Sequence, residues 1–278
     1  MIEWGEIDPD LRLALEQAGL GSVDGAFALS QGQDLSKPDL GTRRRTRLTV
    51  TDSQGRTHEL YLKRYGPRRW WRRLGKFTSP ARREFGAIRR VRQAGVPTMQ
   101  ALVMGEECPL MDGRSFLVVT AVPGDSLERE GSQCFTSSDK MMVGIVTRML
   151  ADVVRQLHDS DMVHRDLYAC HVFLHSKYPV TMYGVEDGKI ELALIDLARV
   201  FIPRLRKFRW RVKDLAQLHY SMPSSWVEKD WRRFLLYYLG PERAGQLDRW
   251  QRAIVRKSES IRRHQRRKTA AAGKGATG

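Results

Sequence analysis

The sequence predicts an α+β protein of two lobes, in which an antiparallel sheet with one helix precedes a mainly helical part. Two patterns carry this prediction. Apolar and polar residues alternate over 47–50 and 59–63, on either side of a turn at 52–55, which is typical of a β-hairpin. Residues 139–158 instead repeat apolar side chains at helical spacing. The repeat consists of Met142, Ile145, Val146, Met149, Val153 and Leu157.

The first lobe is predicted to extend over residues 1–121. Residues 11–18 indicate a short helix that ends at Gly19, and the hairpin follows. Ser79 and Pro80 are typical of the N-cap and first residue of a helix, which we expect to run to about Gln93.

Glu84 is unusual because it lies on the apolar stripe of that helix. The stripe is formed by Ala81, Ala87, Ile88 and Val91. Since burial of an unpaired carboxylate is costly, Glu84 predicts a cationic partner nearby.

The second lobe is predicted to cover residues 122–261. A mostly apolar strand over 115–120 leads into a linker at 122–127, where we place the boundary between the lobes. Further strands are predicted at 172–174 and 190–195, and further helices at 214–220, 230–239 and 241–261. Residues 262–278 are basic and then rich in Ala and Gly, so we expect a disordered tail.

Composition limits the partners and the compartment. The 278 residues include 48 Lys and Arg against 32 Asp and Glu, a net charge of +16 that favours anionic partners. Cys108, Cys134 and Cys170 are too few and too far apart for a disulfide framework, which is typical of a reducing cytosol. The start is unlike a signal peptide, and no apolar run is long enough to cross a bilayer. We therefore expect a cytoplasmic protein that at most lies on a membrane surface.

The segment Val163-His164-Arg165-Asp166-Leu167 is the most informative motif. His-Arg-Asp-Leu after an amphipathic helix is typical of the catalytic loop of the protein-kinase fold, where the Asp orients the attacking hydroxyl and accepts its proton. That fold has a metal-binding Asn five residues after the Asp. Here the position is His171.

Other residues complete a phosphoryl-transfer set in the order that a kinase requires. Lys63 ends an alternating strand, where a kinase has the lysine that holds the nucleotide phosphates, and Glu84 is its natural ion-pair partner. Asp196 follows an apolar strand, as the Mg²⁺-binding Asp does. We also predict nucleotide contacts at Thr120 and Val122, where the strand meets the linker. The expected cofactors are ATP and Mg²⁺.

Three departures argue against a protein substrate. No Gly-x-Gly-x-x-Gly motif precedes the hairpin, and Leu197-Ala198 replaces Phe-Gly after Asp196. The segment from Asp196 to the helix predicted at Asp214 is short and lacks Ala-Pro-Glu, which leaves little room for a peptide-docking platform.

These features together resemble the lipopolysaccharide core kinases, the Kdo/heptose kinase family with a protein-kinase-like fold. The resemblance covers about residues 43–240. It rests on the segments 43–47, 61–65, 79–85, 95–98 and 115–128, and most specifically on 164–171, 195–199 and 209–215. The family has a histidine at the position of His171, so this departure from protein kinases supports membership.

The resemblance implies transfer of phosphate from ATP to a sugar hydroxyl of the lipopolysaccharide inner core, either heptose or Kdo. It gives Asp166 the role of base, Asp196 that of metal ligand, and Asp214 that of a buried brace for the catalytic loop. His171 is a candidate catalytic and metal-binding residue. Because Mg²⁺ prefers oxygen ligands, we expect His171 to hydrogen-bond Asp166 or Asp196, or to contact a phosphate.

The expected partners are an inner-core sugar or lipid-linked glycan and the anionic surface of the inner membrane. Residues 68–73, in which Trp70 and Trp71 stand among arginines, have the composition of a membrane-interface segment or of a solvated basic loop. A kinase for another small molecule or glycan and an inactive kinase-fold scaffold remain alternatives. Nucleic-acid binding is disfavoured because no helix-turn-helix, zinc-finger or RNP pattern occurs.

Overall fold

The computed structural model describes residues 1–36, 42–67, 78–107, 113–129, 140–176 and 190–275. The chain divides into two compact units, Met1–Gln93 with Thr98–Val122, and Ala94–Pro97 with Pro123–Gly278. The boundary after Val122 lies one residue from the predicted one. The basic-aromatic residues 68–73, Cys108 and Cys134 lie outside the described residues.

Residues Ala94–Pro97 belong to the second unit, although the prediction assigned them to the first lobe. Their backbone explains the difference. The carbonyl of Ala94 accepts a hydrogen bond from Gln156 at 3.0 Å, and the carbonyl of Pro97 accepts one from the amide of Leu194 at 2.9 Å.

The first unit is built on an antiparallel sheet. Among the described residues its strands are β1 (Ile2–Trp4), β2 (Gln33–Asp34), β3 (Arg43–Thr51), β4 (Thr57–Tyr65), β5 (Ala101–Glu106) and β6 (Ser115–Thr120). They are ordered β1-β5-β6-β4-β3-β2. The predicted hairpin, β3–β4, is longer than expected because Asp52 orders its turn, accepting hydrogen bonds from the amides of Gln54 and Arg56.

One face of this sheet is covered by the N-terminal segment, whose sequence pattern is weak. Helices α1 (Pro9–Leu15) and α2 (Val23–Ala28) bury Leu11, Leu15 and Ala26 against sheet residues that include Leu60 and Phe116. The predicted helix over 11–18 is interrupted. A wider turn, Glu16–Leu20, follows α1, and Gly19 leaves helical geometry there with φ of +83°.

The helix predicted after Ser79 is confirmed as α3 (Pro80–Gln93), and the hydroxyl of Ser79 caps it by accepting the amide of Arg82 at 3.1 Å. Its apolar stripe is buried as predicted, and Glu84 is buried with it.

The second unit is mainly helical, which confirms the predicted α+β division. Its helices among the described residues are α4 (Lys140–Asp159), α5 (Lys207–Ser221), α6 (Ser224–Lys229), α7 (Trp231–Arg243) and α8 (Leu247–Gly275). A small antiparallel sheet orders β7 (Asp125–Ser126), β8 (Val172–Ser176) and β9 (Ile190–Leu194) side by side. No helix of the described ranges is long and apolar enough to cross a membrane.

Three predicted helix boundaries are wrong. The helix predicted from 241 begins at Leu247, because α7 continues through Pro241 to Arg243. Helix α5 begins at Lys207 rather than Asp214, because Phe208 packs against Trp250 and Trp210 against Phe201, at ring distances of 4.7 and 5.1 Å. Helix α8 continues to Gly275, whereas we expected disorder from 262. Its first half is anchored by buried side chains, and the Arg, Gln, Lys and Ala residues beyond are good helix formers that propagate it.

His219 on α5 predicts a pH dependence of stability. The ring lies 4.7 Å from that of Trp231, and Nδ1 is 3.0 Å from the Ser258 hydroxyl. Burial, and then the charge of Arg262, lower the pKa of His219 from 6.5 to about 4. The unfolded chain therefore binds a proton between pH 6.5 and pH 4 that the folded chain does not, and folding free energy is lost as the pH falls through that window.

We expect His219 to account for a loss of about 1–2 kcal/mol between pH 7 and pH 4, after allowance for its partial exposure. Urea unfolding at several pH values measures this loss. His219→Gln should flatten the dependence, while His264→Gln, at an exposed position on α8, should leave it unchanged. Equal slopes for wild type and His219→Gln would contradict the assignment.

Candidate active site

Lys63 and Glu84 form a buried ion pair within the first unit. Lys63 Nζ lies 2.5 Å from Glu84 Oε1, and the side chains are 10% and 1% exposed. The Tyr65 hydroxyl donates to the other carboxylate oxygen, Oε2, at 2.5 Å. The cationic partner that Glu84 required is therefore Lys63, and Tyr65 satisfies the remaining oxygen, which the sequence did not indicate. The arrangement fixes the ammonium group on β4.

The His-Arg-Asp loop, residues 163–171, is held by Asp214 of α5. The buried carboxylate accepts the amide of His164 at 2.6 Å through Oδ2 and the amide of Arg165 at 2.8 Å through Oδ1. His158 Nε2 lies 3.3 Å from Oδ2. Asp214 thus braces the loop backbone as the resemblance implied.

Arg165 adopts a left-handed backbone with φ of +69°, which is strained for a residue with a side chain. Its guanidinium lies over the rings of Phe201 and Trp210, at 5.3 and 5.5 Å from their centroids. Val163 exchanges two backbone hydrogen bonds with Phe201. These contacts hold the loop against the segment that follows Asp196.

Asp196 follows β9 and also has a left-handed backbone, with φ of +57°. The buried Leu197 begins a short 3₁₀ turn directly after it, and His164 Nε2 donates to the carbonyl of Ile195 at 3.0 Å. A partly buried hydrogen bond therefore joins the His-Arg-Asp loop to the Asp196 turn.

His171 connects the same two segments. Its Nδ1 donates to the backbone carbonyl of Asp166 at 2.7 Å, and its Nε2 lies 3.8 Å from Asp196 Oδ2. Burial would lower the pKa of His171, but contacts with the Cys170 side chain, the Asp166 carbonyl and the Asp196 charge outweigh it and raise the pKa to about 9. The expected hydrogen bond to Asp166 is present, through the main chain.

Sequence reasoning missed Arg199 and Lys213. Nη1 of Arg199 donates to both carboxylate oxygens of Asp166, at 2.8 Å each. Lys213 Nζ donates to the carbonyl of Arg165 at 3.1 Å. Burial, and then the charge of Arg199, lower the pKa of Lys213. Arg199 lies within the segment 195–199 that carried the resemblance, so the motif was visible but its contact was not.

Thr120 and Val122, the predicted nucleotide contacts, lie at the end of the first unit. Both the amide and the hydroxyl of Thr120 bond to the backbone of Gln100, at 2.9 Å each, so its side chain is engaged in pairing within the unit. Any nucleotide contact of Thr120 would have to use its remaining atoms.

The second unit offers a limited set of donors for a metal ion. Among the described residues no group of three or more His, Cys, Asp or Glu side chains could hold one. Mg²⁺ is commonly bound by one or two carboxylates together with waters and substrate phosphates, so the partly exposed Asp196 carboxylate fits such an ion. His171 fits less well, because nitrogen is a poor ligand for Mg²⁺.

Asp214→Asn tests the brace. Asparagine has one acceptor oxygen, so one of the two loop amides would face an NH₂ group and lose its partner. We expect a loss of about 2–4 kcal/mol in stability, and faster hydrogen exchange at the amides of His164 and Arg165 than at other amides of the unit. Denaturant unfolding and native-state exchange measure both effects.

Asp248→Asn, at an exposed carboxylate of α8, is the control and should change stability by less than about 0.5 kcal/mol. Unchanged exchange at these two amides would contradict the role of the brace.

Comparisons with known proteins identify a family and a fold. A model of the lipopolysaccharide kinase (Kdo/WaaP) family matches residues 31–238. The lipopolysaccharide core heptose(I) kinase WaaP of Escherichia coli K12 is 34% identical over 164 residues, which are 58% of this chain and 60% of that protein. WaaP of Pseudomonas aeruginosa PAO1 is 34% identical over 166 residues, 57% of this chain and 59% of that protein. The chain thus aligns with less than two thirds of the length of these relatives.

A solved structure described as WaaP in complex with acyl carrier protein has a TM-score of 0.68 and 29% sequence identity, and the match covers 94% of this chain and 99% of that one. This likeness confirms the predicted α+β, protein-kinase-like fold. Because the family match extends over most of the sequence and includes the His-Arg-Asp loop and the Asp196 turn, the chain belongs to the lipopolysaccharide kinase (Kdo/WaaP) family.

Proposed function

We propose that this protein is an ATP-dependent kinase that phosphorylates a sugar hydroxyl of the lipopolysaccharide inner core. The observation that carries the proposal is the braced His-Arg-Asp loop, which His164 and His171 connect to the Asp196 turn in a chain of this family. The heptose specificity named for the curated relatives makes heptose the preferred acceptor over Kdo.

Nucleotide binding is assigned to the first unit. Lys63, oriented by Glu84, neutralises charge on the α- and β-phosphates of ATP. Thr120 and Val122 contribute backbone contacts to the nucleotide, through the carbonyl in the case of Thr120, since its amide and hydroxyl are already bonded to Gln100. Without Glu84, the Lys63 ammonium would lack the partner that fixes its position on the strand.

The proposed reaction forms a bond between the acceptor oxygen and the γ-phosphorus, and breaks the bond between that phosphorus and the oxygen bridging to the β-phosphate. Asp166 accepts the proton of the attacking hydroxyl. Asp196 holds Mg²⁺, which when bound neutralises charge on the nucleotide phosphates.

His171 takes a positioning role in this scheme. Its Nδ1–H bond fixes the main chain of Asp166, and Nε2 faces the carboxylate of Asp196. Since Mg²⁺ prefers oxygen, we assign the metal to Asp196 and treat direct ligation by His171 as the less favourable alternative.

Place of action follows from the acceptor. An inner-core sugar joined to lipid is met at the cytoplasmic face of the inner membrane, so we assign a cytoplasmic protein in peripheral contact with that surface. The charge of +16 supports attraction to an anionic membrane.

A kinase-like enzyme acting on another small molecule or glycan is the competing proposal, and an inactive scaffold is disfavoured because Lys63, Asp166 and Asp196 are all present.

Asp166→Asn tests the reaction. We expect transfer from ATP to core oligosaccharide to fall about 10²–10⁴-fold, because the hydroxyl loses its base, with little change in stability. Radiolabel transfer by purified protein measures this fall, and Asp152→Asn, at an exposed carboxylate of α4, is the matched control. Mass spectrometry of core oligosaccharide should show one phosphate fewer in a strain lacking the gene. A core that keeps this phosphate would refute the lipopolysaccharide assignment, and full activity of Asp166→Asn would refute the role of the base.

Acyl carrier protein is a second partner to test, because the solved relative contains it and matches this chain over 94% of its length. We expect co-expression with acyl carrier protein to give a complex that elutes as one species in size-exclusion chromatography. Elution of the chain alone, with an unchanged melting temperature, would show that this partner belongs to the relative and not to this chain.

A further inference from the structure

The contact between Arg199 and Asp166 leaves part of the arginine unused. Nη1 bridges the two oxygens of Asp166, while Nε and Nη2 form no hydrogen bond with any part of the chain that the structure describes. The Arg199 side chain is 49% exposed. Its backbone is fixed by the short turn that follows Asp196, in which Leu197 is fully buried. A guanidinium on a fixed backbone therefore contacts the proposed base through one nitrogen, and its other two nitrogens have no partner among the described residues.

A second cation lies beside this pair. Lys213 Nζ is held by the carbonyl of Arg165, and the charges of both Arg199 and Asp166 act on its pKa. The charges of Asp214 and Arg165 act on Lys213 as well, so three cations accompany two carboxylates around this lysine. The surroundings of the proposed base therefore carry an excess of one positive charge, which an anion would compensate.

We propose that Arg199 binds an oxyanion of the acceptor, a carboxylate or a phosphate, through its Nε–Nη2 edge while Nη1 keeps hold of Asp166. This inference rests on the proposed function and names the class of sugar that the site takes, one with an anionic group close to the hydroxyl to be phosphorylated. A planar guanidinium suits this arrangement, because one of its edges donates two parallel hydrogen bonds to a carboxylate or phosphate. The remaining nitrogen can stay on Asp166. Lys213 adds a point charge to the same subsite.

The geometry gives Arg199 a function in specificity as well as in binding. One residue would contact both the base and the anionic group of the acceptor, so binding of that group fixes the acceptor hydroxyl relative to Asp166. A neutral sugar would leave the guanidinium edge without a partner and would bind in less defined positions.

The test combines Arg199 variants with modified acceptors. The acceptors are native core oligosaccharide, the same oligosaccharide after reduction of its carboxylates, and the same after removal of its phosphates. The variants are Arg199→Gln, Arg199→Lys, and Arg252→Gln on α8 as the control. Transfer from ATP is measured as kcat and KM, and melting temperatures verify folding.

For wild type we expect removal of one kind of anionic group to lower kcat/KM about 10- to 100-fold, mostly through KM, as for loss of a charge-assisted hydrogen bond. The sensitive acceptor identifies the group as carboxylate or phosphate. Arg199→Gln should show a loss of the same size on native acceptor and no further loss on the modified one, and Arg199→Lys should be intermediate.

Other outcomes are distinct. If Arg199→Gln loses the same factor on every acceptor, the residue only positions Asp166 and the proposal is overturned. If Arg199→Gln raises kcat on native acceptor, the contact with Asp166 is inhibitory, and the proposal is overturned as well. If wild type transfers phosphate to none of the oligosaccharides, the proposed function itself fails and the subsite falls with it.

Discussion

The arrangement of the second unit depends on one buried carboxylate. The carboxylate of Asp214 is buried, and its partners are two backbone amides and the ring of His158. The amides can converge on it because Arg165 adopts a left-handed backbone, which is costly for this residue and persists only if the surroundings repay it. The carboxylate supplies that compensation, since charge-assisted hydrogen bonds to a buried anion are stronger than neutral ones. Helix α5 thereby determines the conformation of a loop fifty residues earlier in the chain.

A second constraint fixes the same loop from its side chains. In many kinases an arginine pairs with a phosphorylated residue that orders the activation loop. The guanidinium of Arg165 lies instead over the rings of Phe201 and Trp210, which belong to the short segment after Asp196 and to the first turns of α5. These aromatic side chains contact the guanidinium where such kinases have a phosphate. That segment is short, which leaves little room for peptide docking. Its short length also brings the two rings to Arg165.

The sequence predicts an element when its pattern is local, and it does not predict contacts between residues that are far apart in the chain. Helix α3, helix α4 and strand β6 were predicted because each has a continuous apolar stripe or run. Strand β1 and helix α2 were missed because they are only three and six residues long, and their burial is decided by the sheet that they cover. The same distinction holds in the site. Asp166 and Asp196 lie in motifs that are continuous in the sequence. The position of Glu84 on an apolar stripe predicted a cationic partner. Arg199 reaches Asp166 across 33 residues, so no spacing rule could reveal that contact.

His171 shows why a single departure from the kinase pattern was informative. An asparagine at this position could offer an amide to one neighbour, but it is shorter than an imidazole and lacks a second ring nitrogen on the far side. His171 uses Nδ1 on the carbonyl of Asp166 and turns Nε2 to Asp196, and its ring stacks on that of His164 at 6.0 Å. His164 in turn bonds to the residue before Asp196. Two parallel imidazoles therefore tie the His-Arg-Asp loop to the Asp196 turn at two levels. With the distance between the aspartates set in this way by protein groups, the histidine need not be a metal ligand to be required at this position.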